Sequence, residues 1–200
     1  MSASERNEAA RAQWRAKASG WNPADLVFLD ESGCHTSLHR THGRALRGQR
    51  LAASVPRNWK ENTTIIGALS LAGWQALTLP GAADGLAFET FVEKILVPFL
   101  PFLRPGQIVI LDNLNTHKSA FAQGLVEAAG CAWVFLPPYS PDMNPIEMMG
   151  SQLKAYLRAA AARTQEDLDM AISSGLFTVS PTDAVGWFTA AGFPPRVHSP

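Results

Sequence analysis

QIVILDNLNTHK, residues 107–118, is a short apolar run that ends on an acid and then turns polar. Pro105 and Gly106 bound it on the other side, so 107–113 reads as a buried strand. A carboxylate at the end of such a strand is costly unless something pairs with it. Asp112 holds that position, and LVFLDES (26–32) repeats the construction with Asp30. A third acid, Glu147, follows the proline-punctuated turn of LPPYSPDMNPIE (136–147) and opens an amphipathic helix. Three convergent carboxylates with no evident internal cation partner call for a hard divalent ion, Mg²⁺ or Mn²⁺, bound through oxygen. Two such ions can clamp the attacking and leaving oxygens of a phosphoryl transfer, the chemistry of cutting and joining DNA.

Outward from these frames the chain reads as a mixed α/β sheet covered by helices. LVFLDES is the first strand, and the basic stretch through Leu51 is expected to hold a second, with Gly43 and Gly48 as turns. NTTIIGALSL (62–71) turns at Ala72-Gly73 into WQALTLP (74–80), a β-hairpin. From Leu86 the period becomes helical, with Phe88, Phe91, Val92, Ile95 and Leu96 on one face. A helix over 119–129, a strand over 132–138, a helix over 144–162 and a final helical section over 164–191 follow, the last broken at Gly175 and Pro181. Asn144 is the expected N-cap, with Glu147 at capping-box spacing. Residues 1–20 are a polar helical lead-in, 21–192 the catalytic domain and 193–200 a tail.

With 200 residues the chain suits one domain with at most a short appendage. No stretch approaches a membrane span, the first residues lack a signal-peptide core, and no membrane partner is expected. Cys34 and Cys131 are too few for a disulfide framework, which points to a reducing cytoplasm. The net charge is zero, yet no acid stands between Glu31 and Glu61. That interval carries Arg40, Arg44, Arg47, Arg50, Arg57 and Lys60, a stretch suited to tracking a phosphate backbone. Lys118 and Lys154 are further phosphate candidates, with solvated lysines as the plainer reading. Trp59 is a candidate for stacking on a base. Cys34, His35, His39 and His42 match no common zinc spacing.

FLDESG, ILDNLNTHK and LPPYSPDMNPIE together resemble the three catalytic blocks of bacterial insertion-sequence transposases in the mariner-like superfamily. The 34 residues between Asp112 and Glu147 are the interval typical of that branch. GRALRGQRL, WKENTTIIGALS and SQLKAYLRAAAAR are also similar, so the resemblance covers roughly residues 20–192. It implies a ribonuclease-H-like fold with a five-stranded mixed sheet. It also implies that Asp30 bridges two ions while Asp112 and Glu147 hold one each. The implied partners are double-stranded DNA, as terminal inverted repeats and TA-containing targets, and a second copy in a synaptic homodimer at the nucleoid. His117 stands where the family motif carries a histidine, as a contact to phosphate or the scissile region; a surface histidine at a helix start is the alternative.

Three local readings complete the pattern. Glu31 alternates to the opposite strand face and reads as structural. Asp142, the rival third acid, reads as turn chemistry, and an Asx turn is the rival role for Asp112. Gly150 stands where relatives commonly carry a large side chain, which predicts a packing gap behind Glu147. The family's N-terminal helix-turn-helix reader has no counterpart in the roughly 20 residues before the first block. A remnant acting only in DNA binding or dimerisation, and a simple nuclease cutting RNA–DNA hybrids, therefore stand as alternatives.

Overall fold

Leu26, Val27, Phe28 and Leu29 are all fully buried, because each face of the strand that carries them is covered by helices. The computed structural model describes residues 6–52, 54–55, 62–98 and 103–195. Strand β1 (Leu26–Cys34) lies at the centre of a five-stranded sheet. It pairs antiparallel with β2 (Thr63–Ser70), which pairs antiparallel with β3 (Gly73–Pro80). On its other side β1 runs parallel to β4 (Ile108–Leu111), and β4 runs parallel to β5 (Ala132–Phe135). The spatial order is β3-β2-β1-β4-β5, the mixed five-stranded sheet expected from sequence.

Alternation along β1 divides the core into two. Leu26 and Phe28 join Ile65, Leu69 and Ile110 beneath α4 (Pro145–Ala160), α5 (Gln165–Phe177) and α6 (Pro181–Ala190). Val27 and Leu29 join Ile66, Val109 and Leu111 beneath α2 (Gly85–Phe91) and α3 (Ala120–Ala128). The chain after α2 widens into a π-helical turn over Val92–Leu96, where Val97 N donates to Val92 O.

Four expectations are corrected. Residues 35–52 contain no strand; the segment is mostly exposed and has no apolar face that a sheet would bury. The expected N-terminal helix is present as α1 (Glu8–Ala18) but is not set apart from the domain, for Arg11 is fully buried and Trp14 packs edge-on against Trp21 and Phe193. Phe193, assigned to the tail, is 6% exposed and also packs on Phe28. Gly175 does not break a helix: it lies inside α5, where a Cβ would stand 2.6 Å from Leu153 Cδ1 of α4. Pro181 does mark a start, as the first residue of α6 behind a Ser180–Asp183 capping box.

Candidate active site

Parallel register brings the first two acids together. Leu29 is opposite Leu111, so Asp30 and Asp112 each stand one residue past the last pair on neighbouring strands. That is the carboxyl end of the parallel portion, where ligand sites of such sheets form. Glu147 reaches the same place from the first turn of α4. Its approach depends on Gly67, the β2 residue opposite Asp30, because a Cβ there would stand 3.3 Å from Ile146 Cδ1. Glu147 and Asp112 line a cleft of about 400 Å³ walled by Leu114 and the 136–141 turn.

The charges interact. Burial first, then the negative charge of Glu147 and to a smaller degree Asp112, pushes the Asp30 carboxyl up to about 7. Its Oδ1 accepts from Glu31 N at 2.8 Å and its Oδ2 from Asn144 Nδ2 at 2.8 Å. Asn144 is thus at the N-cap position of α4 but makes no cap bond with its side chain. The capping-box expectation fails because its amide is committed to Asp30, and its Oδ1 is buried without a hydrogen-bond partner.

His117, in a 3₁₀ turn over Asn115–His117, is 0% exposed, so it is neither a surface histidine nor an accessible phosphate contact. Its Nδ1 is 2.6 Å from Asp112 Oδ1, its Nε2 is 3.5 Å from Glu31 Oε1, and its ring packs on Phe88. Burial opposes charge on this ring, but the bond to Asp112 and the Glu31 contact outweigh it and push the imidazole up to about 9. An imidazolium therefore sits between two carboxylates, an internal cation partner that sequence reasoning did not place. Glu31, read as structural, belongs to this group; its strand face was foreseen, but what it faces comes from a turn 86 residues away. The Asx turn also exists, as Asp112 Oδ1 accepts from Leu114 N.

Asp142 is not a member of the site. Arg11 of α1 grips it with two bonds, of 3.1 and 2.6 Å, and donates to Ser140 Oγ at 2.6 Å. That grip, more than local turn chemistry, holds the Asp142 carboxyl below its usual range. Arg40, Arg44, Arg47 and Arg50 are exposed in the segment after β1. Lys118 is exposed and bonds Asn115, and Lys154 is half-buried on α4. Lys60, Arg57 and Trp59 lie outside the described residues. Gly150 borders a narrow groove with Ser32, Ile65 and Leu153, and only Ser32 Oγ, at 3.7 Å, would touch a Cβ there.

Among the described residues no three His, Cys, Asp or Glu side chains are grouped so as to hold an ion; Asp112 bonds His117 and Asp30 bonds Asn144. The donor chemistry nonetheless fits a hard divalent cation: mutually repelling carboxylate oxygens stand beside the orphaned Asn144 Oδ1.

A mixed sheet with one acid midway along its central strand, a second just past the end of the neighbouring parallel strand and a third on a covering helix has the ribonuclease-H-like architecture of the DDE endonucleases. The model of the DDE superfamily endonucleases matches residues 25–169, and the chain belongs to that family. The fold is similar to the Mos1 strand transfer complex, at TM-score 0.72 and 16% identity, covering 97% of this chain and 61% of that one. It is similar to the Mos1 mariner paired-end complex with Mn, at 0.67 and 16%, covering 97% and 62%. The catalytic domain of Mos1 mariner transposase matches at 0.60 and 13%, covering 94% and 86%. The chain thus spans about three-fifths of the transposase chains in the first two. No curated protein matches it by sequence. Among the described residues no helix is long and apolar enough to cross a membrane.

Proposed function

We propose that this chain is the catalytic domain of an insertion-sequence transposase that cleaves DNA at terminal inverted repeats and transfers the freed strand to a target. The observation that carries the reading is the placement of Asp30 and Asp112 side by side where the parallel pairing of β1 and β4 ends, with Glu147 coupled to Asp30 from α4. These three residues would hold two Mg²⁺ or Mn²⁺ ions. Bound there, the ions supply the Lewis acidity that phosphoryl transfer by water and then by a 3′-hydroxyl requires.

The protein's own part is positioning. His117 fixes Asp112, Asn144 fixes Asp30, and Gly67 admits α4 close enough to present Glu147. The exposed Arg40, Arg44, Arg47, Arg50 and Lys118, with Lys60 and Lys154, would grip the phosphates of element-end and target DNA. A homodimer in a synaptic complex, acting on nucleoid DNA in the cytoplasm, is the assembly this reading calls for.

The test is Mn²⁺-dependent nicking of labelled duplex DNA carrying candidate terminal repeats. Nicking by the wild type that disappears in Asp112→Asn supports the reading. Nicking that persists in that variant, or cleavage confined to RNA–DNA hybrids, would overturn it.

A further inference from the structure

Tyr139 holds the left-handed backbone region, φ 55°, which a bulky L-residue avoids. Its side chain is among the exposed large hydrophobics, at 56%. An aromatic residue that is both strained and open to solvent contributes little to folding, so its conformation needs another reason. The neighbourhood supplies what holds it. Pro137 and Pro138 stiffen the chain before it. Ser140 after it donates to Pro138 O at 3.3 Å and accepts from the buried Arg11 at 2.6 Å. The backbone that carries the ring is therefore held on both sides, so little of it has to be ordered when a ligand binds.

What it lines is the cleft that ends on Asp112 and Glu147. Tyr139, Leu136, Pro137, Pro138 and the half-exposed Leu114 give that cleft an apolar, flat-sided wall, and Asn113 adds a donor and an acceptor. Such a wall offers a phosphate no positive charge. It does suit a neutral planar heterocycle, and the cleft has the size of a small-ligand pocket.

We propose that Tyr139 is the stacking platform of a subsite for one unpaired nucleobase of the strand being processed. The proposal rests on the DNA-processing role proposed above and deepens it. A paired base already stacks on its neighbours within the duplex, so this subsite selects DNA whose strands are separated next to the reacting phosphate.

The experiment titrates the full chain, in Mg²⁺, into a single-stranded oligodeoxythymidylate carrying one 2-aminopurine, reading its fluorescence and the anisotropy of an end label. Wild type and Tyr139→Phe should quench the 2-aminopurine and bind alike. Tyr139→Ala should lose the quench and bind about 5- to 150-fold more weakly, the range for one base–aromatic stack. Tyr139→Gly, which relieves the positive φ, should bind as poorly while melting no lower than wild type. Equal affinity of wild type and Tyr139→Ala, or loss in Tyr139→Phe, would overturn the platform. Failure of the wild type to bind would overturn it too, whereas Asp112-dependent nicking in the same preparation would leave the catalytic reading standing.

Discussion

Removing either partner of the Arg11–Asp142 pair should destabilise the fold, but by very unequal amounts. The Arg11 side chain is 0% exposed, whereas the Asp142 side chain is 48% exposed. Taking away Asp142 strands a guanidinium inside the protein, with Ser140 Oγ as its remaining hydrogen-bond acceptor and the Glu8 carboxylate, 3.4 Å from Nε, as an ion-pair contact without a hydrogen bond. Breaking a buried pair in this sense costs about 3–5 kcal/mol. Arg11→Met keeps most of the buried stem and returns a half-exposed carboxylate to water, so its cost falls to about 1–2 kcal/mol of lost charge-assisted hydrogen bonding. At roughly 2–4 °C per kcal/mol for a domain of this size, Asp142→Ala should melt about 6–20 °C low and Arg11→Met about 2–8 °C low.

The pH dependence has a definite sign. Arg11 depresses the folded pKa of Asp142, so the pair's contribution is present above the ordinary carboxylate pKa and is lost as pH falls through the lower folded value. The gap between wild type and Asp142→Ala should therefore be full at pH 6 and narrow below about pH 4. Urea melts of the three proteins at both pH values decide the matter. An Arg11→Met cost equal to that of Asp142→Ala would refute the argument from unequal burial.

Asp30 carries the opposite sign: with its folded pKa raised to about 7, the ionised form costs stability that grows as pH rises from about 4 to 7. In chelator, Asp30→Asn should melt higher than wild type at pH 8 and similarly at pH 4, and with Mn²⁺ added it should not nick DNA; a lower melt at pH 8 would refute this. Mg²⁺ should raise the wild-type melting temperature and leave Asp112→Asn unmoved, since only a folded site binds the ion. The helical glycines should part company. Gly150→Ala gains about 1 kcal/mol of helix propensity with only an ordinary contact to Ser32 Oγ, and Gly150→Trp, with its ring along the Ile65–Leu153 groove, should also melt higher. Gly175→Ala should lose about 1–3 kcal/mol by driving a Cβ onto Leu153 and Tyr156. Cys34, whose burial pushes its thiol up to about 11, should resist alkylation in the native protein at pH 8 and react at once in urea.

The sequence made the sheet and its three acids legible for a physical reason. Buried strands are read from apolar runs, and an acid that ends such a run stands out whatever lies next to it in space. The residues that orient those acids carry no such mark. Asn144 looked like a helix cap because the local pattern of α4 says so, and only the proximity of β1 diverts its amide to Asp30. His117 looked like a helix-start histidine because nothing local shows Phe88 and Glu31 closing over it. The underrated α1 has a plain cause, since its basic residues read as exposed. That reading fails for Arg11, which is buried only because a turn some 130 residues away supplies its counter-charge.

The site is electrostatically unfinished as the polypeptide leaves it, and this ties its parts together. Asp112 and Glu31 flank a single imidazolium, while the carboxyl of Asp30 is left facing the charge of Glu147, and burial of Asp30 weakens the screening that water would give it. Protonation of Asp30 near pH 7 is the protein's own relief, but it removes a metal ligand. Divalent cations would relieve the same strain by pulling Asp30 back to its ionised form, so metal binding should release a proton. Proton release on adding Mg²⁺ at pH 7 should therefore be measurable in weakly buffered solution. It should vanish in Asp30→Asn, where the residue has no proton to give. Release that persists undiminished in that variant would place the coupling on another group and remove Asp30 from the centre of the site.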